Sequence, residues 1–299
     1  MKKGINYWAL PADANMQSKF SIARKHGFDG LELVIMNDGG LSRGSSEKEL
    51  AEIRHIADSE GVEIPSITDS QNWACSLTSN SKAVRQLAID ELKREIDIAA
   101  SLNVPAVLAL PGFVRFDHNV NGLHPSTDTQ LPESYSPASE IVRYDFAYER
   151  AAEGLYRVSS YAEEASVYIC VENIWSDFLL SPLEMRSLID SVASPMVKCY
   201  FDVGNVNPFG IPEHWIEILG DRIARIHIKD YKKGVLSLDG FVNLGEGDLD
   251  FSLIASALKR IGYDGWITAE VNADPFLPEH AVATASKVMD KFFDFEGGK

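Results

Sequence analysis

Eight short apolar runs alternate with helix-like segments along this chain of 299 residues. The runs cover residues 4–10, 30–35, 63–68, 105–110, 167–173, 198–204, 223–228 and 266–271. The intervening segments, such as 81–102, carry apolar residues three or four positions apart, as amphipathic helices do. Eight strand–helix units in a chain of this length predict an α/β fold. We expect one (β/α)8 TIM barrel that forms a single domain over residues 1–299.

A doubly wound parallel sheet is the alternative fold for such an alternation. Its dinucleotide-binding form carries G-x-G-x-x-G after the first strand, and that motif does not follow residues 4–10. The barrel is therefore favoured, with a long loop after strand 4. Residues 111–142 form this loop and are rich in Pro, Ser, Asn and Asp. We expect it to lie over the C-terminal end of the barrel, as a lid or as an oligomer contact.

The charge and the cysteines exclude several classes of protein. The chain has 28 Lys and Arg against 44 Asp and Glu, a formal net charge of −16, which argues against a nucleic-acid partner. Its three cysteines include no C-x-x-C pair and indicate neither a disulfide framework nor a zinc ribbon. No apolar run reaches the roughly 18 residues of a membrane span. The sequence therefore predicts a cytoplasmic protein without a membrane partner.

Four consecutive predicted strands, the fifth to the eighth, end in polar side chains. These strand ends carry, in order, Glu172, Asp202, His227 and Glu270. Active sites of TIM barrels lie at the C-terminal ends of the strands, so the four side chains should meet at one mouth. Any one of the acids alone could cap the following helix, and a lone histidine is more often a core residue. Three gathered carboxylates repel one another unless a cation compensates them, so the full set favours one divalent metal ion.

The ligand types indicate which metal is expected. Three carboxylates and one imidazole suit Mn²⁺, Mg²⁺ or Co²⁺, and Zn²⁺ stays open. Mn²⁺ is our first expectation. An ion with open coordination positions could accept two oxygens of a sugar.

Five motifs occur in order along the chain: "VENIW", "FDVGN", "HIKD", "LGEGDLDF" and "IGYDGWITAEV". Together they resemble the xylose isomerase-like TIM barrel family of sugar isomerases and epimerases, a superfamily that also holds endonuclease IV. The resemblance covers essentially the whole chain and is strongest over 167–271. It implies that Glu172, Asp202, His227 and Glu270 bind one divalent ion. It also implies that Glu172 and Glu270 form the catalytic acid/base pair.

The implied chemistry removes a proton from a carbon beside a carbonyl group. A metal on the carbonyl oxygen holds the charge of the developing enediolate, and a carboxylate takes the proton. Return of a proton to the opposite face of the same carbon gives epimerisation, and return to the adjacent carbon gives isomerisation. The sequence therefore predicts an enzyme, a metal-dependent isomerase or epimerase of a ketose or sugar phosphate, and leaves these two outcomes open.

Four further residues are predicted to contact substrate. Asn205 stands where several ketose epimerases carry a histidine after D-x-x, a form similar to the pentulose-phosphate epimerase branch. Lys229 shares strand parity with His227 and could point into the mouth. Trp8 could form an apolar wall, with core packing as the alternative. Glu32 is a further mouth residue, with a structural polar contact as the alternative.

Three other functions stay open at this point. A metal-dependent lyase, of the inosose or dehydroshikimate dehydratase type, would use the same scaffold and expel water. A non-catalytic sugar-binding barrel would keep the fold without turnover. An endonuclease IV-like enzyme is disfavoured by Asn205 and by the acidic charge. A homodimer or homotetramer is expected only because family members often form one.

Overall fold

Eight parallel strands close into a barrel, in the order β1-β10-β7-β6-β5-β4-β3-β2. The computed structural model describes residues 1–36, 40–115, 140–274, 276–277 and 279–295. The barrel strands are β1 (Lys2–Asn6), β2 (Gly30–Ile35), β3 (Ile67–Asp69), β4 (Ala106–Ala109), β5 (Tyr168–Glu172), β6 (Val197–Asp202), β7 (Ile223–Ile228) and β10 (Trp266–Ala269). The strands are mostly apolar and largely buried, as strands covered on both faces must be. The predicted TIM barrel is confirmed.

Helices follow the strands. They are α1 (Met16–Lys25), α2 (Glu47–Glu60), α3 (Lys82–Ser101), α4 (Tyr144–Ala165), α5 (Pro182–Val192), α6 (Val203–Val206), α7 (Pro212–Leu219), α8 (Phe251–Arg260) and α9 (His280–Phe292). Helices α1, α3, α5, α6 and α8 begin at a residue whose side chain accepts from a backbone N–H of the first turn. Ser181 and Glu184 form a capping box at the start of α5. Asp250 accepts from two backbone N–H groups at the start of α8. These caps satisfy amides that have no partner inside the helix and so fix where each helix starts.

Six of the eight predicted runs differ in their bounds from the observed strands, and for three of them the structure shows a local cause. The first run was expected over 4–10, but β1 ends at Asn6 and a 3₁₀ turn (Tyr7–Ala9) follows. The third was expected over 63–68, but Glu63 makes only an isolated bridge and β3 starts at Ile67. Pro65 lies between them, and a proline cannot donate a ladder hydrogen bond. The sixth run was expected to reach 204, but α6 already starts at Val203.

A short hairpin follows β7 and was not predicted. Strands β8 (Asp230–Tyr231) and β9 (Phe241–Val242) pair antiparallel and form a separate two-stranded sheet. Two residues per strand are too few for a periodic signal in the sequence. The hairpin begins at Asp230, directly after Lys229, and so follows the C-terminal end of β7, where His227 and Lys229 lie.

The chain forms two compact units. The first comprises residues 1–33, 47–65 and 200–299, and the second comprises residues 34–46 and 66–199. In the first, the buried Lys3 ammonium lies 2.6 Å from Asp290 Oδ1. In the second, the buried Arg43 guanidinium lies 2.7 Å from Asp69 Oδ2 and 3.1 Å from Glu91 Oε2. The single domain over 1–299 stays a prediction.

Most of the long loop, residues 116–139, lies outside the described residues. Its role as a lid or an oligomer contact therefore stays a prediction, as does a dimer or tetramer. The side chains of Cys75, Cys170 and Cys199 are buried. Within the described ranges, no helix combines the length and the apolar character that a bilayer crossing requires.

Candidate metal centre

Asp202 ends β6 and is fully buried. Its Oδ1 accepts a hydrogen bond of 2.8 Å from the backbone N–H of Asn205, which caps α6. Its Oδ2 lies 2.9 Å from the ammonium of Lys229. The two oxygens of this carboxylate therefore have different partners: Oδ1 caps the N-terminus of α6, and Oδ2 pairs with the Lys229 ammonium. The helix start fixes the side-chain rotamer, which holds Oδ2 in place.

His227 lies near the end of β7 between two carboxylates. Its Nε2 is 2.8 Å from Glu32 Oε1, and its Nδ1 is 3.5 Å from Glu270 Oε2. Because carboxylate oxygens accept hydrogen bonds, we assign a proton to Nε2, which then donates to Glu32. When the ring is neutral, as it must be to bind a metal ion, Nδ1 has its lone pair on the side of Glu270, and when the ring is protonated both nitrogens face carboxylates. This arrangement of carboxylate, imidazole and open nitrogen is the one that metal-ligating histidines use.

Glu32 is itself held by a second contact. Tyr200 donates its phenolic O–H to Glu32 Oε2 at 2.5 Å, and the Tyr200 and His227 rings lie 4.2 Å apart between centroids. All three side chains are buried. Sequence analysis missed Tyr200. The available signal was strand parity, because Tyr200 precedes Asp202 by two positions in β6 and so faces the same side.

Glu270 directly follows β10, and its backbone N–H donates to the carbonyl of Ile228 at 2.9 Å. The ammonium of Lys229 donates to its Oε2 at 2.8 Å. Burial alone would raise the pKa of Glu270, but the charges of Lys229 and His227 lower that pKa to about 2. Glu270 is therefore ionised at neutral pH and presents two acceptor oxygens.

Glu172 ends β5 and is also buried. Glu172, Asp202, His227 and Glu270 each offer one ligand atom, and these four atoms all lie within 4.8 Å of one another. The cluster could hold a metal ion. The fit is chemical as well as geometric, because three carboxylates and one imidazole are donors that divalent cations prefer. Two of these carboxylates, those of Asp202 and Glu270, already contact a positive charge, the ammonium of Lys229. The structure thus brings together the four residues that the sequence singled out, and their role as metal ligands stays a prediction.

The predicted substrate contacts lie in different surroundings. Trp8 lies in the turn after β1, is 37% exposed, and its carbonyl accepts from the N–H of Ala273. Asn205 lies in α6, where its backbone is bound to Asp202. Glu32 is fully buried against His227. Direct substrate contact by these three residues and by Lys229 stays a prediction.

Asp230, which follows Lys229, shapes the neighbouring loop. Its Oδ2 accepts from the N–H groups of Gly245 and Gly247, each at 2.9 Å. Its Oδ1 accepts from Tyr231 and Leu249, at 2.9 and 3.2 Å. A Cβ at Gly247 would overlap the Asp230 carboxylate, so this position requires glycine. The "GEG" of the fourth motif is therefore a cradle for Asp230.

A closed eight-stranded parallel barrel with three carboxylates and an imidazole gathered among its strand ends defines a TIM-barrel protein whose site suits a divalent cation. The profile of the xylose isomerase-like TIM barrel family matches residues 20–292, and the chain belongs to that family.

Curated relatives match this chain over nearly its full length. An L-ribulose-5-phosphate 3-epimerase of Escherichia coli (strain SMS-3-5 / SECEC) is 27% identical over 291 residues, which cover 96% of this chain and 92% of the relative. A putative L-ribulose-5-phosphate 3-epimerase of Haemophilus influenzae is 24% identical and covers 92% of each chain. Both of these relatives are named as sugar-phosphate epimerases, the second as a putative one. The prediction of an enzyme of the sugar epimerase and isomerase family is thereby confirmed.

Solved structures agree on the fold. A D-tagatose 3-epimerase-like protein matches with a TM-score of 0.75 and 21% identity, over 98% of this chain and 97% of its own. A D-psicose 3-epimerase, solved in the presence of D-fructose, matches with a TM-score of 0.73 and 20% identity, over 100% and 92%. These likenesses support the barrel architecture alone.

Proposed function

We propose that this protein is a divalent-metal-dependent ketose 3-epimerase, and that a phosphorylated ketopentose is its substrate. The observation that carries the proposal is the cluster of Glu172, Asp202, His227 and Glu270, with ligand atoms within 4.8 Å of one another. The relatives named L-ribulose-5-phosphate 3-epimerases support the choice of substrate, because they match over nearly the whole chain.

Those same four side chains are the ligands in this proposal. Their donor set favours Mn²⁺, with Mg²⁺, Co²⁺ and Zn²⁺ as the ions to compare. When bound there, the ion supplies a Lewis acid for the substrate's carbonyl oxygen and so stabilises the enediolate.

The two glutamates move the proton in this proposal. One carboxylate removes it from C3, beside the carbonyl, and the other returns a proton to the opposite face of the same carbon. Inversion requires acid/base groups on both faces, and Glu172 and Glu270 come from two different strands, β5 and β10. Glu270 starts as an acceptor, because a positive charge beside it keeps it ionised: that of Lys229 and His227 without the metal ion, and that of the ion when it is bound. Asp202 and His227 hold the site together without exchanging protons with substrate.

The test uses protein stripped with chelator and then supplied with Mn²⁺. It is incubated with L-ribulose 5-phosphate in D₂O and, separately, with free L-ribulose and D-tagatose. We expect the 3-epimer of the phosphorylated ketose, with one deuterium at C3, and no product in the stripped protein. NMR and mass spectrometry identify the product.

The same assay separates the alternatives. A product lighter by one water identifies a lyase, an aldose identifies an isomerase, and binding without product identifies a non-catalytic barrel. Glu172→Gln and Glu270→Gln should each abolish turnover while circular dichroism stays unchanged. Full turnover in either variant would refute the acid/base assignment.

A further inference from the structure

Lys229 reaches two of the four residues of the metal centre at once. Its ammonium is 2.9 Å from Asp202 Oδ2 and 2.8 Å from Glu270 Oε2. The contact with Glu270 is a charge-assisted hydrogen bond, and the contact with Asp202 is an ion pair. The side chain of Lys229 is only 15% exposed, so both contacts are shielded from solvent. A positive charge of the protein's own therefore lies between two of the carboxylates.

The surroundings of Lys229 hold the side chain in this position. Its stem runs over Gly204, where a Cβ would overlap Lys229 Cγ and lie 2.9 Å from the Lys229 carbonyl oxygen. Its ammonium also lies 4.7 Å from the centroid of the Phe241 ring in the β8–β9 hairpin, a cation–π contact. The glycine in "FDVGN" thus leaves the space that the lysine of "HIKD" fills. The two motifs form one arrangement.

The charges explain what the ammonium does there. Asp202 and Glu270 are both carboxylates at a site where like charges repel, and one positive charge between them removes most of that repulsion. A divalent ion would need the same two side chains. An ion bound to these two side chains would lie close to the Lys229 ammonium, and two positive charges at that range repel each other, so binding of the ion disfavours this position of the ammonium. Because the lysine side chain has a flexible four-carbon stem, rotation about its bonds can move the ammonium away from the two carboxylates.

We propose that Lys229 is a built-in competitor of the metal ion: its ammonium joins Asp202 to Glu270 in the metal-free protein and leaves when the ion binds. This inference rests on the metal centre of the proposed function. The competition lowers the apparent affinity for the ion and stabilises the metal-free fold. If the ammonium-bound arrangement accounts for about 90% of metal-free molecules, removal of the ammonium tightens metal binding about tenfold.

The first experiment compares Lys229→Met with Lys232→Met. The control removes the same charge from an exposed side chain three residues away. We expect Lys229→Met to bind Mn²⁺ about tenfold more tightly in calorimetric titration. We also expect a lower melting temperature without metal and a larger gain on addition of Mn²⁺. Lys232→Met should leave all three quantities at their wild-type values.

The second experiment uses the wild-type protein, so it tests the inference even if the Lys229→Met variant fails to fold. An amine-acetylating reagent is applied with and without Mn²⁺, and modified lysines are counted by mass spectrometry. Lys229 should be protected without metal and become reactive with it, whereas the exposed Lys232 and Lys233 should react equally in both. Unchanged labelling of Lys229, or Mn²⁺ affinity in Lys229→Met equal to or weaker than wild type, overturns the inference. Failure of wild type to bind Mn²⁺ instead overturns the metal centre of the proposed function.

Discussion

Glu32 Oε1 lies 2.8 Å from His227 Nε2, although the two residues are 195 positions apart in the chain. The contact fixes both the orientation of the imidazole and the nitrogen that carries its proton. A carboxylate behind a histidine in this way raises the basicity of the other nitrogen toward a metal. Glu32 is therefore best understood as a positioning residue behind His227, and this reading makes a prediction of its own.

Glu32→Gln should weaken Mn²⁺ binding by about 10- to 100-fold, because a neutral amide holds the imidazole less firmly and can face it with the wrong group. Tyr200→Phe is the matched comparison, since it removes only the hydroxyl that donates to Glu32. Its effect on affinity should have the same sign and be smaller. Calorimetric titration with Mn²⁺ measures both. Wild-type affinity in Glu32→Gln would show that the contact does not position a ligand.

Asp230→Ala should lower the free energy of unfolding by about 2–4 kcal/mol, because four backbone N–H groups lose a charged acceptor. Asp248→Ala is the control in the same loop. Asp248 is exposed and accepts from the N–H of Lys233 at 2.9 Å. It should cost under about 1 kcal/mol. Urea denaturation followed by circular dichroism gives both values, and equal losses would argue against a special role for Asp230.

Gly204→Ala should destabilise the protein by about 1–3 kcal/mol, because the added methyl group overlaps the stem of Lys229. Alanine is otherwise the better helix former, so the sign of the effect tests the close approach. Gly234→Ala is the control, since a Cβ there meets nothing within 4 Å. Thermal melts compare the two. A stabilised Gly204→Ala would mean that Lys229 moves aside without cost.

The stability of the metal-free protein should depend on pH through Glu270. Its pKa falls from an ordinary value of 4.5 to about 2 on folding. A depressed carboxyl pKa contributes stability that is complete above pH 4.5 and is lost as the pH falls toward 2. Glu270→Gln should therefore show a smaller loss of unfolding free energy across this window. Chemical denaturation at a series of pH values measures it, and parallel curves for both proteins would contradict the assignment.

Strand-end chemistry was predictable from the sequence because it follows from local rules. A parallel strand has one carboxyl end and a side-chain repeat of two. A polar residue at the end of an apolar run is therefore expected at the C-terminal end of a barrel strand, where active sites lie. Glu172, Asp202, His227 and Glu270 could be found in this way, and the structure brings them together. The helix predicted over 81–102 was equally accessible, because its apolar spacing is local, and the structure has α3 at Lys82–Ser101.

What the sequence by itself determined is the barrel and the four strand-end side chains that the structure brings together, since periodicity and strand ends are properties of short segments. Only the tertiary structure decided what stands behind and between them. It set Glu32 and Tyr200 behind His227. It also set the Lys229 ammonium between Asp202 and Glu270. Finally, it surrounded the Asp230 carboxylate with backbone N–H groups. The physical reason is register. Contacts such as that of Glu32 with His227 depend on how strands far apart in the chain align, and no local pattern encodes that alignment.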